Sequence, residues 1–151
     1  MERKIILEGD PVLRKISKQV VTFDDRLHQL IDDMIDTMYK ADGAGLSAVQ
    51  VGVLKRVFVI DAGNGIKEFV NPVINKCAGT NKIKQEGCLS VPDKYGYVER
   101  PEHVWVTYQD RFGASHEDKL SGYEAKAFCH ENDHLDGILF IDKATRIKKY
   151  K

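Results

Sequence analysis

Residues 130–134 read His-Glu-Asn-Asp-His, and this spacing constrains the fold more than any other feature of the chain. Two histidines four residues apart share a face on an α-helix, so both imidazoles reach one point when this segment is helical. Glu131 sits one residue past the first histidine and three before the second. It flanks that point without occupying it, where a carboxylate can take a proton from water activated by a metal ion. The flanks support a helix independently. Ser121 and Glu124 have capping-box spacing at its start, and Gly137 supplies the stop. A solvated helix face with two chance histidines explains less, because the motif fixes three residues on that helix.

Two imidazoles leave such a site short of a ligand, since catalytic sites usually combine three protein ligands with an open position. His28 falls on the polar side of an earlier helix and His116 in a charged turn. Neither has a suggestive context. Cys88, in Gln85-Glu86-Gly87-Cys88-Leu89-Ser90-Val91-Pro92, is the better third ligand, because the glycine before it and the proline after it imply a held, non-helical backbone. On spacing alone, a small buried residue stays open as its alternative. Cys129 abuts His130, but adjacent helical residues point about 100° apart, so it should face the core. Cys77 reads as a core or surface thiol. Three cysteines do not read as a disulfide framework and suit a reducing compartment.

The rest of the chain reads as α+β. A helix over about 22–39 carries Leu27, Leu30, Ile31, Met34, Ile35 and Met38 as one apolar stripe, with Thr22 and Asp25 as a capping box. This is the N-terminal amphipathic helix. The Gly-rich segment 42–52 follows, then a strand at Arg56–Asp61 with a turn at Gly63-Asn64-Gly65. Phe69–Ile74 reads as an edge strand or irregular segment, because Pro72 cannot donate to a ladder. His103–Tyr108 is a strand by β-propensity. Arg111-Phe112-Gly113 turns into a short strand near His116–Leu120. Strands and helices do not alternate regularly, which favours mixed or antiparallel sheets packed around the metal-binding helix. The 151 residues fit a single domain, 1–151.

Charge excludes some partners. Lys plus Arg equals Asp plus Glu at 23 each, so no strong field favours DNA or an anionic membrane. The tail Arg146, Lys148, Lys149 and Lys151 is basic and reads as a solvated end. The N-terminal apolar run is too short for a signal peptide, and no stretch approaches the roughly 20 apolar residues of a membrane span. A soluble, cytoplasmic protein is expected.

Three segments taken together resemble peptide deformylase: Gly43-Ala44-Gly45-Leu46-Ser47-Ala48-Val49-Gln50, Glu86-Gly87-Cys88-Leu89-Ser90 and His130-Glu131-Asn132-Asp133-His134. They stand in that family's order and at its approximate separations. Asp10-Pro11-Val12-Leu13-Arg14 and Leu135-Asp136-Gly137-Ile138-Leu139-Phe140 are also similar, so the resemblance covers nearly the whole chain. Ser47 stands where the family often has alanine, and Cys129 where it often has glutamine. Both departures read as conservative in size or off the catalytic face.

The resemblance implies removal of the formyl group from the N-terminal formyl-methionine of newly made proteins. It implies a ferrous ion (Fe2+), with Zn2+, Ni2+ or Co2+ as further occupants. The ligand set alone suits zinc at least as readily. Cys88, His130 and His134 would be the ligands and Glu131 the general base. The Gln50 side chain and the Leu89 backbone N–H would stabilise the developing oxyanion. From the residues alone, Gln50 reads as an ordinary polar residue ending a loop. Gly43, Ala44, Gly45 and Gly87 would admit an extended substrate backbone as an added strand, or simply serve tight turns. The methionine pocket would be lined near Ala44, Leu89, Tyr123, Ala127 and His130. Lys126 would lay its stem on the pocket rim and keep its charge in water. Arg100 would stand near the peptide path or be a surface arginine. Asp133 would fix the metal helix or make a surface salt bridge. The partners expected are N-formyl-methionyl nascent polypeptides, with a transient ribosome contact and a monomeric state. Two rivals are a zinc endopeptidase and a non-catalytic module that holds formylated N-termini. The first lacks a further histidine after Gly137 and has only Asp142 as an acidic ligand there. The second does not need Glu131.

Overall fold

The computed structural model describes residues 1–150. Lys151 of the basic tail lies outside the described residues. Helix α1 spans Asp25–Lys40 and buries Leu27, Leu30, Ile31, Met34 and Met38. Asp24 caps it, its carboxylate accepting from the Leu27 N–H at 3.1 Å. This replaces the expected Thr22/Asp25 box. Aspartate is the stronger cap, and it needs no reciprocal side chain three residues on.

Strands β1 (Gly45–Ser47), β2 (Val57–Asp61) and β3 (Ile66–Ala78) follow, then β4 (Gln85–Cys88), β5 (Val91–Tyr97), β6 (His103–Gln109) and β7 (Ser115–Ser121). Helix α2 (Gly122–Leu135), the short α3 (Phe140–Lys143) and β8 (Thr145–Lys149) complete the order. They form one sheet in the order β1-β2-β3-β6-β7 and a smaller one in the order β4-β5-β8, and every strand pair is antiparallel. The class is α+β.

Strand β2 explains how the two long helices find their places. Its side chains alternate between sheet faces. Val57 and Val59 join the α1 residues in one apolar cluster, while Phe58 and Ile60 join Ala125, Phe128, Cys129 and Leu135 of α2 in another. The larger sheet is therefore covered on both sides, and α2 is pressed against it by its apolar residues. A third cluster ties the smaller sheet to the segment around Leu139 and Phe140.

Pro72 does not mark an edge. Strand β3 lies between β2 and β6, and the proline falls in a bulge, where the register advances three residues from Val70 to Val73 against two on β6. A bulge removes the need for an N–H at that position. Asn71 makes it possible, adopting φ +50° and bonding Val20 and Gln109 through its side chain.

Helix α2 starts after Ser121 as expected, but the capping box is not made. The Ser121 hydroxyl bonds His103 Nδ1 at 2.7 Å, and Glu124 pairs with Lys67 at 2.8 Å. Gly137 ends the helix region with φ +75°, and a Cβ there would run into the Arg14 carbonyl. Glycine is required on both grounds. Over Thr145–Lys149 the basic tail is exposed to solvent, as expected, and it also pairs as strand β8 with β5.

Candidate metal centre and active site

Helix α2 carries His130, Glu131 and His134 on the side that faces β1 and the end of β4. The His134 Nε2 lies 3.2 Å from His130 Nε2 and 3.4 Å from the Cys88 Sγ. The ligand atoms of the three residues all fall within 4.8 Å of one another. A tetrahedral ion bound at about 2.0–2.3 Å separates its ligand atoms by roughly 3.3–3.6 Å. The three side chains thus fit a metal ion, and the atoms that meet are two ring nitrogens and a thiol, the donor types that bind transition metals.

The ring of His130 is oriented from behind. Its Nδ1 meets Glu86 Oε2 at 2.6 Å, which leaves Nε2 to face the site. This is the carboxylate–histidine arrangement that fixes the tautomer of a metal-binding imidazole. Burial alone would raise the Glu86 pKa, but His130 and Arg100 outweigh it and hold the carboxyl well below the usual range. His134 is fully buried, and desolvation together with the neighbouring His130 keeps it neutral, as a ligand must be.

Glu131 is buried at 4% exposure and faces His130 Nε2 at 3.8 Å through Oε2. Desolvation raises its pKa, partly offset by His130 and by a hydrogen bond from Ser47. Ser47 donates to Glu131 Oε1 at 2.9 Å and lies 3.0 Å from the Glu131 carbonyl oxygen. It stands on the face that meets Glu131, and its substitution for alanine there is the conservative one in size. Its short side chain on β1 points at the helix because Leu46 before it turns into the α1 cluster.

Gln50 is no ordinary loop residue. It is buried in the turn Ala48–Val51 that follows β1. Its Oε1 accepts from the Ser47 N–H at 2.9 Å, which aims Nε2 at Ser90 Oγ (3.0 Å) and the Cys88 Sγ (3.6 Å). The amide's donor end is therefore presented toward the three converging ligands. Leu89 and Ser90 form the tight turn between β4 and β5, with Cys88 paired to Val91.

A cavity of about 480 Å³ opens over this centre. Gln50, Cys88, Leu89, His130 and Glu131 line its floor, with Tyr123 and Ala127 from α2 on one wall. Gly43, Ala44, Gly45 and Gly87 border it too; Gly43 and Ala44 lead into β1, Gly45 lies on β1 and Gly87 on β4, and among the described residues β1 and β4 are each an edge strand of their sheet. Neither Gly43 nor Gly45 has a positive φ, so tight turns do not explain them. Instead, a Cβ on Gly43 would meet Leu89 at 2.6 Å, and one on Gly45 would meet Glu131 Oε2 at 2.6 Å.

Arg100 and Lys126 depart from expectation. Arg100 does not line the cavity; its guanidinium is buried, bound to Glu86 at 3.2 and 2.8 Å and to Asp133 at 2.7 Å. Lys126 does not keep its charge in water, because its Nζ bonds Glu86 Oε1 at 3.0 Å. Both cations are drawn inward by Glu86, a buried carboxylate that needs compensation. Glu86 was the residue that sequence reasoning passed over. Its signal is alternation: on β4 it stands two residues before Cys88, on the same face and toward α2. Cys129 lies in the core as expected, its thiol pushed up to about 12 by burial.

Known proteins resemble this chain in sequence and in fold. A family model described as polypeptide deformylase matches residues 2–150. A peptide deformylase of Caldicellulosiruptor bescii is 57% identical over 144 residues, 95% of this chain and 86% of that one. The crystal structure of peptide deformylase from Thermotoga maritima superposes with a TM-score of 0.93 at 44% identity, covering 96% of this chain and 99% of that one. A peptide deformylase from Synechococcus elongatus, solved in complex with actinonin, gives 0.91 at 44% identity over 95% and 79%. With a centre of this form and a match across nearly its whole length, the chain belongs to the polypeptide deformylase family.

Proposed function

We propose that residues 1–151 act as one catalytic domain in which Cys88, His130 and His134 hold a single divalent metal ion, Fe2+ in the cell, with Zn2+, Ni2+ or Co2+ able to replace it. The family reaction is hydrolytic removal of the N-formyl group from the formyl-methionine of nascent peptides. The observation that carries the assignment is the convergence of the His134 Nε2 on the His130 Nε2 at 3.2 Å and on the Cys88 Sγ at 3.4 Å, all three within 4.8 Å of one another beside the buried Glu131.

When bound, the ion supplies Lewis acidity, lowering the pKa of water and polarising a carbonyl. The chain's own groups do the rest. Glu131 Oε2 takes a proton as water attacks the formyl carbon, and its raised pKa suits it to hold that proton. The same oxygen returns the proton to the departing amine, so formate and a free N-terminus leave. Gln50 Nε2 and the Leu89 N–H stabilise the charge that develops on the formyl oxygen. The uncovered edges of β1 and β4 accept the peptide backbone as an added strand along Ala44, Gly45 and Gly87. Tyr123, Ala127 and Leu89 surround the methionine side chain. Arg100 is reassigned: it serves Glu86 and Asp133, not the peptide.

Asp142, the acidic ligand an endopeptidase would need beyond the helix, bonds Arg14 at 3.1 Å and the Leu139 N–H at 3.0 Å. No helix of the described residues is long and apolar enough to cross a membrane. We place the enzyme in the cytoplasm as a monomer that meets nascent chains, with the basic strand β8 making transient ribosome contact.

The test is anaerobic purification, metal analysis and formate release from a formyl-methionyl peptide. Oxygen is excluded because a ferrous ion and its thiolate ligand both oxidise. Wild type should bind about one ion per chain and release formate, and Cys88→Ala should lose metal and turnover together. Unchanged metal affinity in that variant removes Cys88 from the ligand set. Cleavage of internal peptide bonds with formyl-methionyl peptides untouched overturns the reading.

A further inference from the structure

Glu131 has two carboxylate oxygens, and they stand in different surroundings. Oε2 lies over the bare Cα of Gly45 and faces His130 Nε2. Oε1 accepts a hydrogen bond from the Ser47 hydroxyl at 2.9 Å. Gly45 and Ser47 are two residues apart on β1, so they share a strand face, and that face meets the glutamate. Ser47 is fully buried, and among the described residues its hydroxyl is the one side-chain donor within hydrogen-bond distance of either oxygen. Among the described residues no lysine or arginine holds this carboxylate, in contrast to Glu86.

We propose that Ser47 is a positioning residue for catalysis: its hydroxyl holds Glu131 Oε1, so that Oε2 is the oxygen presented to the reacting water. The inference rests on the reading of Glu131 as the base. A carboxylate is free to turn about its last two side-chain bonds unless something holds it, and a general base works only within hydrogen-bond reach of its proton. The strand supplies the hold and the glycine supplies the room.

The same hydroxyl lies 3.0 Å from the Glu131 carbonyl oxygen, so a role confined to bracing α2 is the competing explanation. Ser47→Ala in the metal-loaded full chain separates the two. Positioning predicts unchanged metal content, unchanged KM for a formyl-methionyl peptide and a kcat about tenfold lower. A crystal structure of the metal-free variant should show the Glu131 carboxylate turned from its wild-type place. In a Glu131→Gln background, adding Ser47→Ala should change residual kcat by less than about twofold. Bracing predicts a lower melting temperature with wild-type kcat, and that result overturns the proposal. So does an unmoved carboxylate, or an equal fall in both backgrounds. Full turnover in Glu131→Gln alone overturns the base reading itself, whereas an inactive Glu131→Gln with a fully active Ser47→Ala overturns this proposal only.

Discussion

Two buried glutamates stand against the same imidazole and are pushed in opposite directions. Glu86 meets His130 from the Nδ1 side with Arg100 and Lys126 bound to it, and it stays ionised. Glu131 approaches the Nε2 side, toward the cavity, with a serine hydroxyl for company, and burial raises its pKa. Environment divides the labour between identical side chains. A carboxylate ringed by cations is a poor proton acceptor and a good anchor. One that lacks them is held closer to the pKa at which it can take a proton and return it.

The comparison can be broken at several points. Glu131→Gln removes the proton acceptor while keeping shape. It should retain metal and lower kcat by roughly 10²–10⁴-fold in a formate-release assay. Arg100→Ala removes the cation that Glu86 and Asp133 share, leaving Glu86 with Lys126 and His130 and Asp133 with Lys143. Unfolding in denaturant should show a loss of up to about 3–5 kcal/mol, because the buried Glu86 loses its two-pronged guanidinium partner. Values within 0.5 kcal/mol of wild type, in order-of-magnitude terms, would mean that the network relaxes into water.

Glu86→Gln keeps the hydrogen bond to His130 but removes the charge. Competition against a chelator should give roughly 10–100-fold weaker metal binding, the usual cost of altering the partner of a ligating histidine. The metal-free forms add a pH signature. The folded pKa of Glu86 lies below its ordinary 4.5, so its stabilising effect is fully present above that value and is lost as pH falls through the folded value. The stability gap between wild type and Glu86→Gln should therefore narrow on acidification. A gap that widened in acid would contradict the assignment of an ionised Glu86. The smallest effect is expected at Lys143, which pairs with Asp133 at 3.1 Å while 45% exposed. Lys143→Ala should cost no more than about 1 kcal/mol by the same unfolding measurement, and less in high salt.

Much of the centre was legible in the sequence, for physical reasons. His130, Glu131 and His134 sit on one helix, where spacing dictates direction, and the motif could be read without knowing the fold. Cys88 was half legible: its backbone context pointed to a held position, but only the fold carries it 46 residues along to His134. Glu86 was missed because its partners come from two segments distant in sequence, Arg100 from the loop before β6 and Lys126 and His130 from α2. The same distance hid the true places of Arg100 and Lys126. A charged side chain reads as surface until a buried counter-charge is known. Strands β1, β4, β5 and β8 were also not named in advance. They are short or glycine-bearing, and pairing with partners distant in sequence defines them more than local propensity does. Pro72 misled because a bulge, which is set by the neighbouring strand, can place proline inside a sheet.

The central claim is that the two glutamates do different work on one histidine, and turnover per bound metal ion tests it most directly. Glu86→Gln and Glu131→Gln should be loaded under anaerobic conditions to equal metal content and assayed on the same formyl-methionyl peptide. The account predicts near-normal turnover per ion in Glu86→Gln and nearly abolished turnover per ion in Glu131→Gln. Equal losses in the two variants, or full turnover in Glu131→Gln, would contradict it.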